Sequence, residues 1–148
     1  LGGIRSTSTT LIDNTGANLF PDAQGTETLA GSNSYLCLFV RNENGTVTFQ
    51  NVRFYVSQLT DSLEDEITIA IGSVAKNTTE ITVANINTAP AGGITFTGPT
   101  TYATGLVIPD LAPNDYFPIW FKRAINASLV TPLAANSFKF DVDGDTGP

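Results

Sequence analysis

Apolar and polar positions alternate in short bursts along this chain, and the bursts are strand-sized. The clearest apolar run, Tyr35-Leu-Cys-Leu-Phe-Val40, predicts a strand that continues through Arg41 and Asn42. Residues 46–57 then alternate, with Val52, Phe54 and Val56 on one face and Arg53 and Tyr55 on the other. Glu43-Asn-Gly45 lies between the two runs, and Asn-Gly tolerates positive φ at both positions. The pattern therefore predicts a β-hairpin turning at Asn44-Gly45. After an acidic turn over residues 61–66, Ile67, Ile69 and Ile71 repeat at period two, the mark of a half-buried strand. Further strands are expected near residues 7–12, 78–83, 94–97, 106–108 and 115–125, with Pro118 placing the last at an edge or bulge. Phe138, Phe140 and Val142 alternate against Ser137, Lys139 and Asp141 and complete the series.

No stretch carries a 3.6-residue period, and Gly, Asn and Pro recur too often for a long helix. Roughly eight or nine short strands separated by turn signals predict an all-β fold, an antiparallel β-sandwich of immunoglobulin-like or jelly-roll type. Residues 1–34 are rich in Ser, Thr, Asn and Gly and read as an N-terminal arm and extended loop, packed on the domain or on a neighbour. Residues 35–148 form the sandwich domain. Leu11-Ile12 and Leu19-Phe20 are too apolar to stand in water, so with Leu1, Ile4 and Trp120 they are the expected interface residues.

The 148 residues suffice for one domain that buries roughly two-thirds of its unfolded surface. No apolar stretch reaches the roughly 18 residues that cross a bilayer. A net charge of −7 with scattered basic residues argues against phosphate-mediated nucleic-acid binding and against anionic membranes. One Cys leaves no internal disulfide to form. Initiator Met is ordinarily trimmed only before small residues. The chain from Leu1 is therefore expected to be a cleavage product or the ordered part of a longer one, and Leu1-Gly-Gly-Ile4 lacks the regions of a signal peptide.

Candidate chemistry is sparse. There is no His, the usual general base near neutral pH, and nucleophilic Ser or Cys generally needs such a partner. Cys37 has apolar neighbours and is expected to be a buried, unreactive core residue. Asp141, Asp143 and Asp145 in Asp-Val-Asp-Gly-Asp resemble the start of a calcium loop, against the alternative of a solvated acidic tail. Asn44-Gly-Thr46, Asn77-Thr-Thr79 and Asn126-Ala-Ser128 match the glycosylation sequon, which matters only in a secreted eukaryotic protein. Tyr116, Phe117, Trp120 and Phe121 form the densest aromatic cluster; alternation puts Tyr116 and Trp120 on one face, as core, sugar platform or interface anchor. No cofactor is expected.

Three stretches together resemble a family of tailed-bacteriophage virion structural proteins. They are Leu1-Gly-Gly-Ile-Arg-Ser6; Tyr35-Leu-Cys-Leu-Phe-Val-Arg-Asn42 followed by Thr46-Val-Thr-Phe-Gln-Asn-Val-Arg-Phe-Tyr-Val56; and Pro118-Ile-Trp-Phe-Lys-Arg123 with Asn136-Ser-Phe-Lys-Phe-Asp-Val-Asp-Gly-Asp-Thr146. Residues 60–115 carry no resemblance. The likeness implies a virion protein without enzymatic activity. Within that class the expectation is a capsid decoration (cement) protein on the capsid exterior, made in the host bacterial cytoplasm. Its expected partners are the major capsid protein and copies of itself as a homo-oligomer. A tail, baseplate or head–tail connector component is the second reading, and a carbohydrate-binding module the alternative from another class.

Overall fold

Strands that follow one another in this chain never pair with each other among the described residues. The computed structural model describes residues 2–12, 19–127 and 136–146. Its strands are β1 (Ser32–Arg41), β2 (Phe49–Gln58), β3 (Asp65–Ile71), β4 (Leu106–Val107), β5 (Tyr116–Ile125) and β6 (Lys139–Thr146). One sheet has the order β1-β5-β3 and the other β4-β2-β6, with every pairing antiparallel. Odd-numbered strands thus build one sheet and even-numbered strands the other, so each connection crosses the sandwich. The all-β antiparallel sandwich expected from the pattern is the fold, with six strands among the described residues where eight or nine were expected.

The expected hairpin at Asn44-Gly45 is instead an arch between the sheets. β1 pairs with β5 from Ser32↔Ile125 to Arg41↔Tyr116, while β2 lies between β4 and β6. Side-by-side pairing would line up the apolar faces of β1 and β2 in one layer. The arch sets them face to face, so Val52, Phe54 and Val56 are buried with Leu36, Leu38 and Val40 packed against the same core. Asn42 holds the corner: its Nδ2 donates to the carbonyls of Val47 and Leu111, each at 2.8 Å, and its Oδ1 accepts from Asn44 N at 2.9 Å. That satisfies a side chain only 7% exposed.

A third layer covers the outer face of the β1-β5-β3 sheet. Ala70, Val83 and Trp120 are buried there with Tyr35, Cys37, Ile94 and Phe96 packed around them. The expected strands at 78–83 and 94–97 appear within it only as single bridges, Gly2↔Thr82 and Ile69↔Thr97. Residues 7–12 form no strand. Residues 25–30 form a short helix, α1 (Gly25–Ala30), where an extended loop was expected. Six residues are too few to reveal a helical period; the start of α1 is marked by Glu27, whose carboxylate accepts Gln24 N at 2.8 Å.

β5 is therefore central and buried on both faces, and the edge position expected from Pro118 is corrected. In an extended strand the N–H and C=O of one residue point the same way, and Pro118 O accepts Gly72 N at 3.0 Å. The missing proline donor is thus aimed at Gly72, just beyond the end of β3, rather than at a strand in register.

Candidate interaction surface

Trp120 is not an interface anchor or a sugar platform: it is 0% exposed. Its register partners are Cys37 on β1 and Ala70 on β3, two small residues that leave room for the indole. Gly2 closes the site from outside; a Cβ there would overlap the Ile81 carbonyl oxygen and press on the Trp120 ring. The sequence pattern assigned Tyr116 and Trp120 to one face, but which layer covered that face was a tertiary matter.

The arm divides in two. Gly3 exchanges backbone hydrogen bonds with Glu80, N to O at 3.1 Å and O from N at 3.0 Å, so the start of the chain is strapped to its own third layer. Arg5 lies over the Tyr116 ring at 5.2 Å. Phe20 packs against the main core and Leu19 is half-buried. Ile4 and Ile12, by contrast, are 80% and 72% exposed, and Leu11 is also exposed. Leu1 lies outside the described residues.

Asp141, Asp143 and Asp145, the candidate calcium ligands, are not brought together. They lie on β6, a strand rather than a loop. Alternate residues on one strand face stand about 6.5–7 Å apart, too far to converge on a cation that needs oxygens near 2.4 Å. Among the described residues no group of three potential ligands converges. Asp143 instead accepts from the Tyr55 hydroxyl, and Asp145 accepts from Asn51 Nδ2 at 2.9 Å. The bond to Asp143 pushes the Tyr55 hydroxyl up to about 12.

Several other ionisable groups are bound into the frame. Burial, and after it the charge of Glu80, pushes the Cys37 thiol up to about 12, so the thiolate needed for reactivity is suppressed. Glu80 itself escaped the sequence reading. Its side chain is buried and accepts from Ser73 N at 2.9 Å, Ser73 Oγ at 2.9 Å and Ile81 N at 2.8 Å. An acid inside a β-branched run was the available signal. Lys76, donating to Asp115 at 2.6 Å, lowers that carboxyl from its ordinary value, with help from Asn77.

The stretches behind the virion resemblance lock into one another. Asn51, at a β-bulge with φ of 52°, bonds Asp145 of the closing Gly-Asp-Thr. Arg123 and Asn136, from the two halves of the third stretch, both bind the carboxylate of Asp65. Residues 72–99, which carry no resemblance, contribute the third layer. A scan of protein-family models and searches of curated proteins and solved structures return no match for the chain.

Three of the exposed apolar side chains, Leu29, Leu59 and Leu63, lie on segments at one end of the sandwich. Ile125 at the end of β5 pairs with Ser32 at the start of β1, and with Asp65 at the start of β3. That end therefore includes α1, which leads into β1, and the loop from β2 to β3. Leu29 on α1 is 64% exposed, Leu63 on the loop is 92% exposed, and Leu59 beside it is exposed too. β1, with its apolar run Tyr35–Val40, is also an edge strand; on its outer side it has one backbone bond among the described residues, Tyr35 N to Ile86 O at 2.6 Å. Natural edges are ordinarily blunted by Pro or Lys, and β1 has neither. No helix among the described residues is long and apolar enough to cross a membrane.

Proposed function

We propose that this chain is a non-enzymatic structural protein of a tailed-phage virion, a capsid decoration protein that stabilises the shell. It would do so through contacts with the major capsid protein and with copies of itself. The observation that carries this reading is the leucine-bearing end, where Leu29, Leu59 and Leu63 face water. The Asp65–Arg123–Asn136 network, close behind it, makes a firm base for a contact surface. The absorption of Cys37, Glu80 and Asp65 into packing and hydrogen bonds supports a role without catalysis.

The test is binding of the purified protein to expanded capsids. Saturable, symmetric stoichiometry is expected, with Leu29→Ser/Leu63→Ser losing attachment while melting at an unchanged temperature. Full-strength binding by that double variant overturns the assignment of the contact end. Absence of any capsid binding overturns the decoration role, and labelling of intact particles then decides for a tail or connector component. The carbohydrate-module reading loses its main support, because the tryptophan it needed on the surface is in the core.

A further inference from the structure

The arch between β1 and β2 holds a reactive pair. Asn44 is the chain's one Asn followed by Gly. Its side-chain oxygen accepts three hydrogen bonds, from Thr46 N at 2.9 Å, Thr46 Oγ1 at 3.2 Å and Val47 N at 3.1 Å. Its Nδ2 makes no hydrogen bond among the described residues, and neither does the backbone N–H of Gly45. Both residues are exposed, and a Cβ at Gly45 would meet nothing within 4 Å. The acceptor oxygen is thus held while the amide that would leave and the amide that would attack are both unengaged.

We propose that Asn44 is a site of spontaneous deamidation accelerated by the folded arch. Gly45 N, its proton taken by hydroxide, attacks Asn44 Cγ to form a C–N bond, and negative charge develops on Oδ1. The three donors already point at that atom, the arrangement of an oxyanion hole. The intermediate collapses with cleavage of Cγ–Nδ2. The nitrogen leaves as ammonia after taking a proton from water, which restores the hydroxide. Water then opens the cyclic imide at either carbonyl, giving aspartate or isoaspartate. The balance is one water consumed and one ammonia released, with no oxidant or reductant.

The two products differ in what they do to the arch. The aspartate product keeps its oxygen on the amides of Thr46 and Val47 and strengthens those bonds with a charge. Isoaspartate adds a methylene to the backbone itself, lengthening the one connection that sets β1 over β2. Either product adds one negative charge to the arch, and isoaspartate also loosens it, independently of any partner.

The experiment follows conversion of the peptide containing Asn44 by mass spectrometry at mildly alkaline pH, in the native protein and in urea. Held backbones ordinarily slow imide formation, so a native rate several-fold above the rate in urea is the expected and diagnostic result. Thr46→Val, which removes the Oγ1 donor, should slow the native reaction and leave the rate in urea unchanged; its melting temperature verifies that it folds. A native rate equal to or below the unfolded one overturns the proposal. So does a native rate indifferent to Thr46→Val.

Discussion

Arg123 grips Asp65 with two hydrogen bonds, Nε to Oδ1 at 2.8 Å and Nη2 to Oδ2 at 2.6 Å, across the β3–β5 pairing. Asn136 adds Nδ2 to Oδ2 at 2.9 Å, and Pro21 O accepts Arg123 Nη1 at 2.7 Å. The pair thus joins the arm, β3, β5 and the segment before β6. Removing one partner of a buried pair strands the other; with both side chains slightly open to water, Asp65→Asn should cost about 2–4 kcal/mol. Arg123→Lys should lose most of the same stability, because an ammonium cannot reproduce the planar fork. Urea midpoints check both; a change within the range of ordinary surface substitutions would refute the network's role.

Cys37 should label slowly with a thiol reagent in the native state and quickly in denaturant, because burial disfavours its thiolate. Its thiol rises from 9.0 to about 12 on folding. The folded state therefore retains a proton that the unfolded state releases between those values, so this contribution is intact below pH 9 and lost as pH rises toward 12. Cys37→Ser should weaken that alkaline decline. An unchanged slope would assign it elsewhere, for example to Tyr55, which is also raised on folding.

Gly2→Val should displace the strap from Trp120 and shift the emission of this single tryptophan to the red. The expected cost is about 1–3 kcal/mol, from overpacking and the loss of the Gly3–Glu80 bonds. Deleting residues 1–10 should do the same, whereas an arm reserved wholly for a neighbour would leave the isolated domain untouched. Unaltered emission in both variants would show that the strap does not cover the indole.

Gly45→Ala should change stability by less than about 0.5 kcal/mol, as an open position without positive φ permits a side chain. A hairpin turn requiring positive φ there would instead lose roughly 1 kcal/mol. Thermal melts separate the two.

Refolding should be slow, in the range of milliseconds to seconds typical of sandwiches, because among the described residues no consecutive strands pair as a local hairpin to begin it. Stopped-flow recovery of Trp120 emission measures this directly. Microsecond refolding would contradict the interleaved pairing.

The strands of the two sheets were legible because period-two alternation is a local consequence of one buried face. β1, β2, β3, β5 and β6 all lie within a few residues of where the pattern puts them. The apolar neighbours of Cys37 likewise pointed to packing, and the structure places it half-buried beside Trp120. The runs at 78–83 and 94–97 alternate just as well, yet each makes only a single bridge. Alternation reports a covered face; it does not report whether the backbone finds a ladder.

Tertiary structure decided everything that depends on which strands meet. Asn44-Gly45 encodes a reversal of direction, and only burial of Val52, Phe54 and Val56 opposite Leu36, Leu38 and Val40 makes it an arch rather than a hairpin. Trp120 was readable as an alternating aromatic, but its burial comes from Gly2 and the third layer, distant in sequence. The spacing of Asp141, Asp143 and Asp145 suits a calcium loop or a strand equally, and pairing with β2 chose the strand. Local sequence sets the periodicity and chemistry of each segment. The choice among partners is a competition for buried apolar area over the whole chain, and only the assembled fold records its outcome.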